Sequence, residues 1–226
     1  MKQLLLDIQP ASPPTLENFV VGGNDELLQV LRSLDKRDYS QRSLTLWGGA
    51  GSGKTHLLRA VVANSQGYGL TAAYLDTPQS AQIVAQQVDL LALDNVQHLD
   101  ETAQIALFNL FNQFRDQGKL LVVAADVAPA QLTVRDDLKT RLAWGLVYQV
   151  CGLTDSEKIQ ALKSHALERG MRLPEDVVEY CLRHLRRDLP TLMATLDALD
   201  EWSLTTKKPV TIAMVRELVQ MPLGFS

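Results

Sequence analysis

The sequence predicts an α/β fold: a P-loop core with a five-stranded parallel sheet covered on both faces, followed by a small all-α domain. Three observations carry the prediction. Short, continuously apolar runs alternate with helical patterns between residues 43 and 150, as in strands buried on both faces. A glycine-rich turn, "LWGGAGSGKTHLL" (46–58), joins the first run to a helix. After Cys151 helical patterns follow one another without a strand.

Residues 1–14 hold three prolines and no period, so they read as an extended arm. "GNDELLQVLRSL" places Asn24 as an N-cap before apolar positions at helical spacing. "SLTLW" (43–47) is a strand, and a helix runs from Lys54 to about Ser65. "TAAYLD" (71–76) is a strand, 79–87 a weak helix and "DLLALD" (89–94) a buried strand. "TAQIALFNLFNQFRDQG" is a strongly amphipathic helix closed by Gly118. "KLLVVAAD" (119–126) is the fourth strand, 135–142 a short helix and "LVYQV" (146–150) the fifth strand. Helices at 155–169, 174–186, 190–204 and 211–220 complete the chain. The expected organisation is an arm over 1–14, a nucleotide-binding core over 15–151 and a helical domain over 152–226.

Composition narrows the function. With 46% hydrophobic and 21% charged residues, the 226-residue chain has the profile of a globular protein. A net charge of −4 argues against a general nucleic-acid coat, which needs a basic face. Cys151 and Cys181 stand 30 residues apart without CxxC context and read as reduced, partly buried thiols. The four histidines lack ligand spacing, so no zinc site is expected. "MKQLLLDIQPASPP" is too polar for a signal-peptide core, and no apolar run approaches a membrane span. The expected location is cytoplasmic.

Gly48, Gly53, Lys54 and Thr55 fit G-x-x-x-x-G-K-[ST], and the loop runs Gly48, Gly49, Ala50, Gly51, Ser52, Gly53 into Lys54, Thr55 and His56. Glycines let backbone N–H groups converge on phosphate oxygens, and the next helix aims its positive end at the same place. Lys54 neutralises phosphate charge, and the Thr55 hydroxyl suits Mg²⁺. Asp94, closing a buried strand, is placed to hold Mg²⁺ with Thr55. The following residue is Asn95, an amide that orients water but cannot accept its proton. A general base contributes roughly 10²–10⁴ in rate, so strong ATPase activity is not expected. Arg141 closes a short helix before a Trp144–Gly145 turn. Taken alone, a lone arginine there reads as a solvated charge.

Together "TLENFVVGGNDELL", "LWGGAGSGKTHLL", "LLALDNV", "RLAWGL" and "MRLPEDVVEYCLRHLRRDLPTLMATLDAL" resemble the AAA+ core of the DnaA-related family over roughly residues 15 to 221. The resemblance spans that core and its helical lid alone, so neither the N-terminal interaction domain nor the DNA-reading helix-turn-helix of DnaA is expected, and no dedicated DNA-binding domain. Within the family it is similar to the Hda group, the regulatory inactivators of DnaA. The resemblance implies a regulator that holds ADP or ATP with Mg²⁺, is loaded on the DNA polymerase sliding clamp, and makes DnaA hydrolyse its ATP. It implies that Arg141 acts in trans on a neighbour's nucleotide, and that Val20 and Val21 line the base pocket. "QLLLDI" resembles a clamp-binding peptide in which Gln3, Leu4, Leu6 and Ile8 are the anchors. DnaA and the clamp are thus the implied partners, with a homodimer or higher oligomer compatible and no membrane.

The chain also departs from the family pattern. Pro190 stands where a lid arginine reaches the phosphates, leaving Arg186 or Arg187 as substitutes or as surface charges. Ala124 and Ala125 replace the polar sensor at the end of the fourth strand, leaving Asp126. These weaken the reading of a γ-phosphate while the diphosphate loop is complete, so ADP, or a nucleotide without rapid turnover, is the expected ligand. Two alternatives stay open: a self-acting AAA+ ATPase such as a helicase loader or initiator paralogue, and a clamp adaptor whose nucleotide serves stability alone.

Overall fold

The computed structural model describes residues 13–34, 42–79, 82–83, 87–185 and 188–220, without the side chains of 219 and 220. The clamp-like peptide Gln3–Ile8, most of the expected helix over 79–87, and Arg186 and Arg187 lie outside the described residues. The chain divides into two compact units, one spanning Pro13–Gly152 and one starting at Leu153.

In the first unit the strands are β1 (Ser43–Trp47), β2 (Ala72–Asp76), β3 (Leu90–Asp94), β4 (Leu120–Ala125) and β5 (Leu146–Gln149). They form one parallel sheet in the order β2-β3-β4-β1-β5. The central strands β3 and β4 are buried at every residue, which is why they read as unbroken apolar runs. The edge strand β5 alternates half-buried and exposed residues instead.

Side-chain alternation sends the two sets of strand residues to opposite faces. Leu44, Leu46, Leu90, Ala92, Leu120 and Val122 pack with α1 (Asp25–Ser33) and α2 (Lys54–Gly67). Leu91, Leu93, Leu121, Val123 and Ala125 pack with α3 (Glu101–Asp116) and α4 (Asp136–Leu142). Each fully buried leucine here contributes about 1.5–3 kcal/mol of transfer free energy. The buried Thr45 hydroxyl donates to Leu142 O at 2.8 Å, joining β1 to the end of α4. Gly145 closes the turn that follows at φ +78°, where a Cβ would lie 2.5 Å from the Ser43 carbonyl oxygen.

Asn24 stands at the N-cap position of α1, yet its side chain makes no capping hydrogen bond. Its amide instead donates to Val21 O and Cys151 O, both at 2.9 Å, and accepts from Cys151 N at 2.8 Å. The residue is a clamp between the segment before α1 and the chain leaving β5, separated by 127 positions. Asn24 is 3% exposed, so Asn24→Ala strands buried backbone groups, at an expected cost of about 1–3 kcal/mol. A urea titration reads this as a lowered midpoint; an unchanged midpoint would mean that the clamp is dispensable.

The second unit consists, among the described residues, of α5 (Asp155–Glu168), α6 (Glu175–His184), α7 (Leu189–Thr206) and α8 (Ile212–Gln220). Thr154 and Glu157 form a reciprocal capping box at the start of α5. Pro190 falls in the first turn of α7, where its missing N–H costs nothing, and Asp188 caps the helix by accepting from Thr191 N at 3.0 Å. Leu162, Val177, Leu196, Leu199 and Val215 form the core. Arg169 bridges Asp197 and Asp200 at 3.1 Å each, satisfying the buried Asp200 carboxylate. Both cysteines are free: Cys181 is buried in this core, which pushes its thiol up to about 11, whereas Cys151 is exposed rather than partly buried. No described helix is long and apolar enough to cross a membrane.

Candidate functional site

The loop after β1 is shaped by close approach. Gly48 N donates to Ala125 O at 3.2 Å, stitching the loop to β4. A Cβ on Gly48 would lie 2.5 Å from Val150 O, so only glycine fits. Gly53 holds φ +103°, and a Cβ there would meet the Phe19 ring at 2.8 Å. No side chain caps the N-terminus of α2, so its first-turn N–H groups remain open to an anion. Lys54 Nζ donates to Gly48 O at 2.6 Å and Gly49 O at 2.9 Å, folding back over the loop. Burial lowers the Lys54 ammonium below the usual lysine value, with Asp94 and Asp126 pulling the other way.

A strap before α1 braces this loop. Thr15 N donates to Asn18 Oδ1 and Asn18 N to Thr15 Oγ1, at 2.9 and 3.1 Å, making a closed turn. A ring nitrogen of His56 lies 2.9 Å from Thr15 O, and the Phe19 ring tilts against the His56 ring at 5.5 Å between centroids. His56 thus ties α2 to the strap. Sequence reading missed Thr15 and Phe19; the T-x-x-N spacing was the available signal. Val20 is half-buried, and Val21 packs onto the α1–α2 core.

At the end of β3, Asp94 is 1% exposed and faces the α2 side of the sheet. Its Oδ2 accepts from Thr55 Oγ1 at 2.5 Å and from Tyr74 Oη at 3.1 Å, and its Oδ1 from Asn95 N at 2.9 Å. All three are neutral donors, so a buried carboxylate at the loop mouth has no cation in hydrogen-bond contact among the described residues. A divalent ion beside Thr55 and Asp94 fits that donor set. Burial, reinforced by Asp94, pushes the Tyr74 phenol up to about 12, so it stays a donor at neutral pH. Asn95 adopts a left-handed conformation, φ 55° and ψ 41°, which asparagine tolerates. Its amide donates to Asp76 Oδ1 at 2.7 Å, while its oxygen accepts from Gln97 at 3.4 Å. The side chain that follows Asp94 is therefore held against the neighbouring strand. Asp126 is exposed, immediately beyond β4.

Arg141 is set apart from this group. Its helix ends beside the middle of β1, where Thr45 Oγ1 donates to Leu142 O at 2.8 Å, and the turn that follows reaches the start of β1, where Ser43 Oγ donates to Trp144 O at 3.3 Å; the glycine loop leaves the other end of β1. The guanidinium lies over the Trp144 ring at 4.3 Å and the Phe108 ring at 5.5 Å, and it makes no ion pair among the described residues. Trp144 is 48% exposed, so the cation is presented on a surface aromatic platform. The structure brings Gly48–Thr55, Asp94 and Asn95 together; it does not bring Arg141 to them.

Comparison with known proteins sets this geometry in context. Residues 76–149 match the family model of the bacterial DnaA ATPase domain, and residues 155–219 match that of the Hda lid domain. An uncharacterized protein of Haemophilus influenzae is 36% identical over 230 residues, covering 97% of this chain and 99% of that one. Among solved structures, domain III of the Thermotoga maritima replication initiation protein DnaA superposes with a TM-score of 0.74 at 25% identity, covering 92% of this chain and 96% of that one. A replication initiator DnaA bound to AMPPCP and single-stranded DNA gives 0.70 at 27% identity, covering 86% and 67%.

Proposed function

The chain belongs to the DnaA-related AAA+ family and carries an Hda-type lid domain, and from that premise we propose that it is a nucleotide-holding regulator that stimulates ATP hydrolysis by DnaA while bound to the sliding clamp. The observation that carries the reading is the position of Arg141, on an exposed aromatic platform and, among the described residues, without a hydrogen bond or ion pair to its own glycine loop. An arginine so placed serves a nucleotide on another subunit better than its own.

In this reading the loop and Lys54 hold the diphosphate, with Thr55 and Asp94 receiving Mg²⁺ and Val20 and Val21 beside the base. ADP is the working ligand. Asn95 supports it, because an amide tied to Asp76 offers no base to an attacking water. Mg²⁺, when bound, supplies charge neutralisation at the phosphates. Arg141 meets the negative charge that develops on the neighbour's ATP and so lowers the partner's barrier. Gln3, Leu4, Leu6 and Ile8 insert into an apolar groove of the clamp as an extended peptide. No DNA contact of its own is required, since the clamp supplies proximity to DNA.

The test measures ATP hydrolysis by DnaA of the same organism in the presence of clamp loaded on DNA. Wild-type protein is expected to stimulate it, and deletion of residues 2–8 to reduce the stimulation to the clamp-free level. Rapid ATP turnover by this protein alone, with DnaA unaffected, would replace the regulator with a self-acting ATPase. Stimulation that survives the deletion would remove the arm from the mechanism.

A further inference from the structure

We propose that Tyr74 is a positioning residue for the metal-bearing end of the nucleotide site: its hydroxyl holds the Asp94 carboxylate in the orientation that receives Mg²⁺. The inference rests on the nucleotide-holding reading above and adds a residue to it that no sequence motif marks.

Tyr74 comes from β2, one strand beyond Asp94, and alternation places both on the α2 face, with Asp76 paired in register to Asp94. Of the three donors on Asp94, Asn95 N is fixed by the backbone and serves Oδ1. The other oxygen, Oδ2, has two donors, Thr55 Oγ1 and Tyr74 Oη. These two differ in freedom. Thr55 is the hydroxyl whose lone pairs a bound cation recruits, so its own geometry must change on loading. Tyr74 is outside that contact, and its ring is held from above by the Arg59 guanidinium 4.8 Å from the centroid. Among the described residues Tyr74 is therefore the side-chain donor able to keep Oδ2 in place before and after the ion arrives. A carboxylate aligned in advance binds without further ordering, and removing such an outer partner costs about 10–100-fold in metal affinity.

Tyr74→Phe keeps the ring under the Arg59 guanidinium and removes the hydroxyl, with its bonds to Asp94 and to the Arg59 side chain. The experiment uses the full chain and measures ADP affinity by competition with a fluorescent ADP analogue, first in EDTA and then across a Mg²⁺ titration. Wild type is expected to bind ADP more tightly with Mg²⁺. In Tyr74→Phe the affinity in EDTA stays the same while the gain from Mg²⁺ falls about tenfold, and Asp94→Asn abolishes the gain. Thermal melting in EDTA serves as the folding control: Tyr74→Phe is expected to unfold in one cooperative transition, at a lower temperature than wild type because a donor to the buried Asp94 carboxylate is lost. An equal Mg²⁺ gain in wild type and Tyr74→Phe overturns the proposal. So does a wild type that binds ADP with no Mg²⁺ gain, a result that leaves the nucleotide-holding reading standing. Failure of the wild type to bind ADP at all overturns both.

Discussion

Replacing Arg141 with alanine is expected to abolish stimulation of DnaA's ATPase while leaving ADP binding by this protein unchanged. An arginine supplied in trans is worth about 10³–10⁵ in rate, so the stimulated activity should fall to nearly the unstimulated level. The separation of effects follows from geometry. Among the described residues Arg141 has no hydrogen bond or ion pair with Gly48–Thr55, and its guanidinium lies over the Phe108 and Trp144 rings. Those exposed cation–π contacts contribute about 0.5–1 kcal/mol, so the variant should fold. Arg141→Lys keeps the charge but loses the planar fork, and should restore only part of the activity. The measurement is phosphate release by DnaA with DNA-loaded clamp, alongside an ADP titration of the variant. A variant as active as wild type would leave the clamp adaptor as the better description.

The second large effect is expected at Lys54. In the structure its ammonium bonds the Gly48 and Gly49 carbonyls, so it is preorganised over the loop that would receive the phosphates. Burial already disfavours that charge, which makes an anionic ligand its natural partner. A hydrogen bond to a charged group contributes about 1.5–3 kcal/mol, so Lys54→Ala should weaken ADP binding by about 10–100-fold. The ADP-induced rise in melting temperature should shrink in step, since ligand stabilisation follows occupancy. Isothermal titration reads the affinity directly. Unchanged ADP binding would show that the loop, though shaped like a phosphate cradle, does not work as one.

These variants probe features of different legibility. The glycine loop, Lys54, Thr55 and Asp94 could be read from the chain because their placement depends on local spacing: a strand, six residues of loop, a helix. The five strands could be read because two-sided burial leaves continuous apolar runs such as "LLVVAA". The helical unit after Cys151 was legible through its 3.6-residue periods.

Tyr74, Phe19 and Asn24 were not legible in the same way. Asn24 looked like a helix cap, because asparagine before an apolar helical pattern usually is one. Its actual partners, the N–H and C=O of Cys151, are 127 positions away, and the local rule cannot see them. Phe19 matters because its ring fills the space beside Gly53, and Tyr74 because β2 pairs with β3 in the register that aligns Asp76 with Asp94.

The sequence by itself therefore determined the fold class, the alternation of elements and the place of the glycine loop between a strand and a helix, since each is written in periodicity or in fixed spacing along the chain. Only the tertiary structure decided which neutral donors satisfy Asp94, that Asn95 is tied to Asp76, and that Arg141 stands away from its own loop. Those facts depend on strand order and register, in which β4 inserts between β1 and β3 and brings residues far apart in the chain within hydrogen-bond reach. Hydrogen bonds and packing act over a few ångströms of space, whatever the separation along the chain.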